Sequence, residues 1–247
     1  VLSFLTLAKE TYGYNNGKNG FLLTSPVKNP NHQLPPVEHQ FQVLDMLDIK
    51  YKKDILLELW PSKNDHRRVQ ELLESEWLAN YSQIIGINVA ASEKWKTKNW
   101  PVEHMARLCD LLASQNKRVI LTGIEKDKEL AQRLMSLTKT KPANFVGKTN
   151  VMELAVLIKH CQVFVTPDSA PMHIAAAMKV PFVALFGPTS SIRHLPPATS
   201  CHVFEKKPPC APCYSAQCKV KTHICMLAIA PEDVVKKINE LIEVRNI

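Results

Sequence analysis

The segment 163–189 constrains the fold of this chain more than any other stretch of it. A short apolar run is followed by a polar turn at 166–169, an alanine-rich helical stretch, and a second apolar run that ends in Gly187-Pro188-Thr189. This order predicts a helix whose N-terminus lies at the carboxyl edge of a parallel sheet, where ligands of open α/β sheets bind. The N–H groups and the positive dipole end of such a helix attract anions. We therefore expect a nucleotide or a sugar phosphate to bind here.

The chain from residue 83 onward alternates between short apolar runs and amphipathic stretches. The apolar runs predict strands at 84–89, 119–122, 145–146, 163–166 and 182–186. The amphipathic stretches predict helices at 101–114, 126–137, 151–159, 170–178 and 231–244. Alternation of this kind is typical of an α/β fold with a doubly wound, mostly parallel sheet.

Residues 1–75 are less regular and carry no complete α/β core of their own. An apolar run predicts a strand at 21–24, and a proline- and asparagine-rich loop follows at 25–36. Apolar spacing predicts helices at 37–47 and 65–78. These elements alone do not define a fold.

The net charge of +8, from 31 Lys and Arg against 23 Asp and Glu, is spread along the whole chain. It fits a solvated basic surface and an anionic partner, such as a nucleotide, a phosphorylated glycan or an anionic membrane surface, about equally well. A nucleic acid partner is not expected, because no compact Lys/Arg block is interleaved with aromatic residues. No apolar run approaches the length of a membrane-spanning helix.

The seven cysteines are unevenly placed. Cys109 and Cys161 are isolated among apolar residues, which indicates core positions. The others crowd into residues 201–225, and an odd total without a recognisable secretion signal favours a reducing compartment. Two interpretations of this cluster remain open: reduced or disulfide-linked structural cysteines, or a structural zinc ion at Cys210, Cys213, Cys218 and Cys225. A catalytic metal is not expected, because no carboxylate pair is placed to hold Mg²⁺ against a diphosphate.

Several segments, in register, resemble the ADP-heptose lipopolysaccharide heptosyltransferases. The matching segments are the strand and loop at 86–92, the Lys-x-Trp-Pro signature at 95–104, the strand and acidic residue at 121–125, the Asp-Ser/Thr-Gly-x-x-His loop at 167–173, the strand end at 185–189 and the cysteine cluster at 210–225. No single motif is decisive, and the resemblance rests on their shared order.

The resemblance implies the GT-B architecture, in which two Rossmann-like domains face a cleft. By this match, residues 1–78 are the C-terminal remnant of the acceptor-binding N-terminal domain, which is only partly present. Residues 79–230 form the nucleotide-sugar-binding domain, whose Rossmann-like, doubly wound sheet is complete. Residues 231–247 form a C-terminal helix that packs back toward the N-terminal domain.

The resemblance also implies an activity: inverting transfer of heptose from ADP-heptose to the inner core of lipopolysaccharide. The partners would be the nucleotide sugar and a lipid A–core glycolipid, no cofactor would be required, and the enzyme would be cytoplasmic with peripheral contact to the inner membrane. The family's general base lies in an N-terminal part that the match does not cover. We therefore expect this chain to bind the donor but not to complete the transfer alone.

The resemblance assigns donor contacts to Ser92, Lys98, Glu125, Asp168, Ser169, Ala170, His173 and Thr189. Lys98 would place its positive charge on the diphosphate, and Lys94 and Lys96 compete with it because the loop is longer than the family's usual spacing. Ser92 would donate to a phosphate oxygen or serve as an ordinary turn residue. Glu125 would bind the ribose hydroxyls or, equally well, stabilise the N-terminus of the following helix.

The remaining assignments concern the turn after 163–166 and the next strand. Asp168 and Ser169 would cap the helix and shape the phosphate pocket. Ala170 stands where the family has Gly, so it would resist a turn that needs a positive φ. His173, one turn into the helix, would donate to a phosphate or sugar hydroxyl rather than act as a base. Thr189 is a weaker candidate, equally well explained as a turn residue.

Two other functions remain open on the sequence. One is a GT-B glycosyltransferase with a different nucleotide sugar, which competition among ADP, UDP and GDP would separate. The other is a non-catalytic nucleotide-binding or assembly module, which the Gly-to-Ala departure at Ala170 makes conceivable.

Overall fold

The computed structural model describes residues 5–15, 20–28, 31, 33–52 and 56–245. The chain divides into two units, one of residues 1–55 with 192–196 and one of residues 56–191 with 197–247. The division therefore falls before the helix Lys63–Ser75, whereas the boundary expected from the sequence falls after it, at 78/79.

The smaller unit contains strand β1 (Tyr12–Tyr14), which pairs in parallel with β2 (Ser25–Val27), and helix α1 (Pro36–Leu44). The strand predicted at 21–24 is wrong, because the chain forms a 3₁₀ turn at Gly20–Leu22 and enters β2 only afterwards. Thr24 fixes this starting point: its backbone N–H donates to Thr11 Oγ1, and its own Oγ1 accepts from the Thr11 N–H. Part of the predicted loop at 25–36 is thus a strand.

The larger unit is built on a parallel sheet. Its strands are β3 (Ile84–Asn88), β4 (Arg118–Thr122), β5 (Ala143–Asn144), β6 (Val163–Pro167), β7 (Phe182–Phe186) and β8 (Cys201–Glu205). The spatial order is β5-β4-β3-β6-β7-β8, and all neighbours run in parallel. The prediction of an α/β fold with a parallel sheet is confirmed. The short strand predicted at 145–146 lies two residues earlier, since Phe145 and Val146 are buried just beyond its end.

Helices cover this sheet in two sets. In the larger unit they are α2 (Lys63–Ser75), α3 (Val102–Ala113), α4 (Lys128–Leu137), α5 (Val151–Lys159), α6 (Ala170–Ala177), α8 (Ile224–Leu227) and α9 (Pro231–Arg245). Three of the four residues of the short helix α7 (Ser191–His194) belong to the smaller unit. Helix α3 packs against α4 and α9, while α5 packs against α2 and α6. Because α9 also contacts β7, the C-terminal helix is part of the larger unit. No helix in the described ranges combines the length and apolar character needed to cross a membrane.

The strand order reverses between β3 and β6, where Gly86 of β3 lies opposite Phe164 of β6. A Cβ on Gly86 would lie 2.4 Å from Phe164 Cδ2 and 2.9 Å from Cys161 Sγ. Phe164 is fully buried in the space that Gly86 leaves open. In open α/β sheets the crevice beside such a reversal, at the carboxyl ends of the strands, is the usual ligand site.

Candidate functional site

A cavity of about 560 Å³ opens at the carboxyl ends of β3 and β6, beside the reversal of strand order. This volume is in the range of small-molecule sites in proteins. The wall is formed by the loops after β3, β4 and β6 and by the first turns of α5 and α6. Its polar side chains include Ser92, Lys98, Asp127, Asp168, Ser169 and His173.

Lys98 and Asp168 form the charged centre of this cavity. Lys98 Nζ lies 2.8 Å from Asp168 Oδ2, and the two side chains are only 14% and 6% exposed. The same carboxylate oxygen accepts a 2.7 Å hydrogen bond from Thr189 Oγ1. An ammonium group has three N–H donors, so Lys98 can keep this partner and still donate to a ligand.

The conformation of the loop that carries Lys98 shows which of the three candidate lysines reaches the cavity. Lys94 and Lys96 are exposed, and neither lines the cavity, whereas Lys98 does. The Lys98 ammonium also lies 5.1 Å from the centre of the Trp95 ring, a cation–π distance that helps to hold the side chain inward. The geometry therefore brings Lys98, among the three, to the ligand edge.

The turn after β6 accommodates alanine without strain. Ser169 is extended, with φ −157° and ψ 171°, and α6 begins at Ala170. Ala170 is absent from the described residues with positive φ, so the conflict expected at this Gly-to-Ala position does not arise. As the first residue of the helix, Ala170 offers an N–H that has no acceptor within the helix. His173 follows on the same helix and lines the cavity.

The capping role expected of Asp168 and Ser169 is not what their side chains do. Ser169 occupies the N-cap position, but no side-chain hydrogen bond caps the helix. Its Oγ instead lies 3.1 Å from Thr166 Oγ1 and donates to Pro167 O at 3.2 Å. The Asp168 carboxylate is engaged by Lys98 and Thr189. These side chains thus tie the turn to its neighbours instead of capping the helix.

Asn88 is a buried polar residue at this edge that sequence reasoning missed. It ends β3, is 4% exposed, and lines the cavity. Its Nδ2 donates to Ala90 O at 2.6 Å and to Ser169 Oγ at 3.2 Å, which links the loop after β3 to the turn after β6. The available signal was an amide side chain at the end of an otherwise apolar strand.

In the segment after β4, the acidic residue that lines the cavity is Asp127, which sequence reasoning did not single out. Glu125 does not line the cavity; its side chain is 70% exposed and lies 2.6 Å from Lys128 Nζ. Asp127 lines the cavity and accepts a 2.9 Å hydrogen bond from the Ile124 N–H. Burial raises the pKa of Asp127, with a smaller contribution from nearby Glu93. A 3₁₀ turn at Glu125–Asp127 produces this two-residue offset.

The last two sequence candidates hold different positions. Ser92 is exposed at the start of the Lys98 loop and lines the cavity, so its hydroxyl is available to a ligand. Thr189 is 2% exposed and does not line the cavity. Thr189 lies behind the cavity wall, where its hydroxyl donates a hydrogen bond to Asp168.

The cysteine-rich segment, residues 210–225, borders a second cavity, of about 350 Å³. Cys210, Cys213, Cys218 and Cys225 all line it. All seven cysteines of the chain are free thiols. Throughout the described ranges, no group of three or more His, Cys, Asp or Glu side chains is arranged to hold a metal ion. The structural zinc considered for these cysteines is therefore not supported.

The mixture of groups in the first cavity favours a particular ligand chemistry. One ammonium group beside a helix N-terminus suits a phosphate or diphosphate. The two carboxylates, Asp127 and Asp168, are acceptors, and they suit hydroxyl groups rather than phosphate oxygens. A ligand that carries both a diphosphate and sugar hydroxyls satisfies the whole set.

Comparison with known proteins identifies the family of this chain. The model of glycosyltransferase family 9 (heptosyltransferase) matches residues 1–224. The lipooligosaccharide heptosyltransferase 2 of Campylobacter jejuni subsp. jejuni serotype O:6 is 32% identical over 169 residues, 66% of this chain and 53% of that protein. The protein of the same name from Haemophilus influenzae is 36% identical over 174 residues, 64% of this chain and 47% of that protein. The chain thus spans about half the length of these curated relatives.

Solved structures show the same fold. The glycosyl transferase family 9 structure from Veillonella parvula superimposes with a TM-score of 0.82 and 22% identity, over 95% of this chain and 67% of that one. The E. coli ADP-heptose LPS heptosyltransferase II superimposes with a TM-score of 0.79 and 23% identity, over 100% of this chain and 73% of that one. These similarities confirm the predicted α/β fold of the GT-B type.

Proposed function

Because the chain belongs to glycosyltransferase family 9 (heptosyltransferase), we propose that it binds ADP-heptose as the donor of an inverting heptosyl transfer. In this proposal the acceptor is the inner core of lipopolysaccharide, carried on lipid A. The name lipooligosaccharide heptosyltransferase 2, carried by two relatives, supports the class of acceptor. The name of the E. coli structure, ADP-heptose LPS heptosyltransferase II, supports the donor.

The observation that carries the proposal is the position of Lys98. Its ammonium lies at the carboxyl edge of the sheet, in the same cavity as the N-terminus of α6, so both can contact one diphosphate. In glycosyl transfer the bond from the sugar to the diphosphate breaks and negative charge develops on the departing phosphate. A fixed ammonium group and helix N–H groups stabilise that charge in the transition state.

The other polar residues of the cavity have roles that follow from the same placement. Ser92 and His173 line the cavity, and in this proposal they donate to phosphate or sugar oxygens. The Asp127 carboxylate, in the 3₁₀ turn that follows β4, would accept from the ribose hydroxyls. We therefore assign the ribose contact to Asp127 in place of Glu125, which lies outside the cavity wall.

Peripheral contact with a membrane completes the proposal. An acceptor anchored by lipid A must be met at a membrane surface, and a net charge of +8 favours approach to phosphorylated lipid.

Titration calorimetry tests the donor assignment. We expect the 247-residue chain to bind ADP and ADP-heptose more tightly than UDP or GDP. Undetectable binding of ADP and ADP-heptose at millimolar concentration would contradict the proposal. Tighter binding of UDP or GDP would instead indicate a different nucleotide sugar.

A further inference from the structure

The residue before Lys98 is held from a distant part of the chain. Thr97 is 8% exposed, and its Oγ1 donates a 2.7 Å hydrogen bond to the carbonyl oxygen of Ser215. The backbone oxygen of Thr97 meets His223 Nε2. A carbonyl oxygen only accepts, so His223 is the donor and carries its proton on Nε2. The loop bearing Lys98 is thus fixed by two contacts from the cysteine-rich segment.

The same segment also holds the loop after β7. The backbone N–H of Tyr214 donates to Pro188 O at 2.8 Å, and the Tyr214 hydroxyl accepts from the Ser190 N–H at 3.3 Å. Pro188 and Ser190 are the two neighbours of Thr189. The hydroxyl of Thr189 is one of the two side-chain donors to Asp168.

The two sets of contacts converge on one carboxylate oxygen. Asp168 Oδ2 accepts from Lys98 and from Thr189. Residues 214–223 form hydrogen bonds with the residues next to both of these donors in the sequence. From this arrangement we infer that the cysteine-rich segment, defined here as residues 210–225, is a brace that sets the position of the Lys98 ammonium. His223 is then a positioning residue for the diphosphate of the donor, an inference that rests on the proposed function.

The inference has a measurable consequence that a purely structural role of His223 lacks. If His223 acts through Lys98, removing His223 weakens nucleotide binding only while Lys98 is present. Residues that act through a shared group are non-additive in a double-mutant cycle, whereas independent sites add.

The experiment measures the affinity for ADP by calorimetry in the unchanged chain, His223→Ala, His223→Gln, Lys98→Ala and the double variant His223→Ala/Lys98→Ala. We expect His223→Ala to bind ADP about 3- to 10-fold more weakly, the range for loss of one buried hydrogen bond. We expect His223→Gln, whose amide retains a donor, to recover most of the affinity. In the Lys98→Ala background the His223 change should have an effect below about twofold.

A second pair of variants covers a failure of His223→Ala to fold, since this residue has a positive φ of 51°. Thr97→Val removes only the hydroxyl that bonds Ser215 O, and Thr97→Ser keeps it. We expect weaker ADP binding for Thr97→Val than for Thr97→Ser. His202→Ala is the matched control, because this histidine packs against Phe204 on β8. The His202→Ala variant should bind ADP as tightly as the unchanged chain does.

The outcomes separate this inference from the proposed function. No ADP binding by the unchanged chain would overturn both. Normal ADP binding with unaltered affinity in His223→Ala and Thr97→Val would overturn the brace and leave the donor assignment standing. Equal losses with and without Lys98 would also overturn it, because His223 would then act on overall structure alone.

Discussion

The ammonium of Lys98 and the carboxylate of Asp168 are paired at 2.8 Å in a largely buried position, at the edge where the strand order reverses. The pair brings a cation to the ligand site and prevents the carboxylate from repelling an anionic ligand. The stability of the fold therefore depends on this pair, and so does the nucleotide affinity that the proposed function requires.

Replacing Lys98 by Ala should lower both quantities. Breaking a buried ion pair leaves Asp168 without its counter-charge, so unfolding in urea should show a loss of about 3 kcal/mol. Loss of a charged hydrogen bond should weaken ADP binding about 10- to 100-fold. Lys96→Ala, in the same loop but exposed, is the control and should change neither value appreciably.

A further variant separates stability from binding. Lys98→Met/Asp168→Asn removes both charges while preserving side-chain volume, and it should regain much of the stability without regaining ADP affinity. Recovery of affinity in this variant would contradict a role for the Lys98 charge.

Substitutions at Asp127 and at Glu125 should differ sharply in their effect on the affinity for ADP. Asp127→Asn removes an acceptor from the cavity wall and should weaken ADP binding about 5- to 30-fold, whereas Glu125→Gln should have an effect within twofold. Calorimetry of the two variants side by side checks this. The reverse ranking would restore Glu125 as the ribose contact.

The cysteines should fall into two classes on alkylation. Cys109 and Cys161 are buried, and burial raises the pKa of both thiols, that of Cys109 to about 12. Because the thiolate is the reactive form, Cys109 should still not react with iodoacetamide in the folded protein when the pH is raised from 7 to 9. Cys210 and Cys213 are exposed and should react first. Mass spectrometry of the labelled peptides, with and without urea, tests this order; native labelling of Cys109 at the rate of Cys210 would contradict it.

Gly86→Ala should destabilise the larger unit. The added methyl group would overlap the Phe164 ring, and overpacking of this kind costs about 1–3 kcal/mol. Phe164→Leu in the same chain makes room, so the double variant should lose less than the sum of the two single losses in urea unfolding. Additive losses would show that the two residues do not share this space.

Much of the fold follows from local pattern. The alternation of apolar runs and amphipathic stretches after residue 83 indicated the parallel sheet, because buried strands and one-faced helices carry different periods. Strand β8 was not predicted, since its residues are all partly exposed and include His202 and Glu205, so it lacks the apolar run of an inner strand. Its identity comes from pairing with β7, which no local pattern encodes.

The site was predictable in its location but not in every side chain. Strand ends and a helix N-terminus indicated the ligand edge, and Lys98, Asp168 and His173 lie there. The choice between Glu125 and Asp127 depends on a 3₁₀ turn that rotates one acid outward and the other inward, and the sequence favours neither. The contacts to Thr97 escaped prediction because their partners are 118 and 126 residues away.

That separation bears on attempts to alter donor preference by exchanging loops between relatives. If residues 92–100 of this chain were moved alone into a relative, Thr97 would lose its hydrogen bonds to the Ser215 carbonyl and the His223 imidazole. Lys98 would then no longer be held in position, and the donor preference measured for the chimera would not be that of the loop in this chain. Exchanging residues 92–100 together with residues 210–225 transfers the loop and the segment that supports it as one piece.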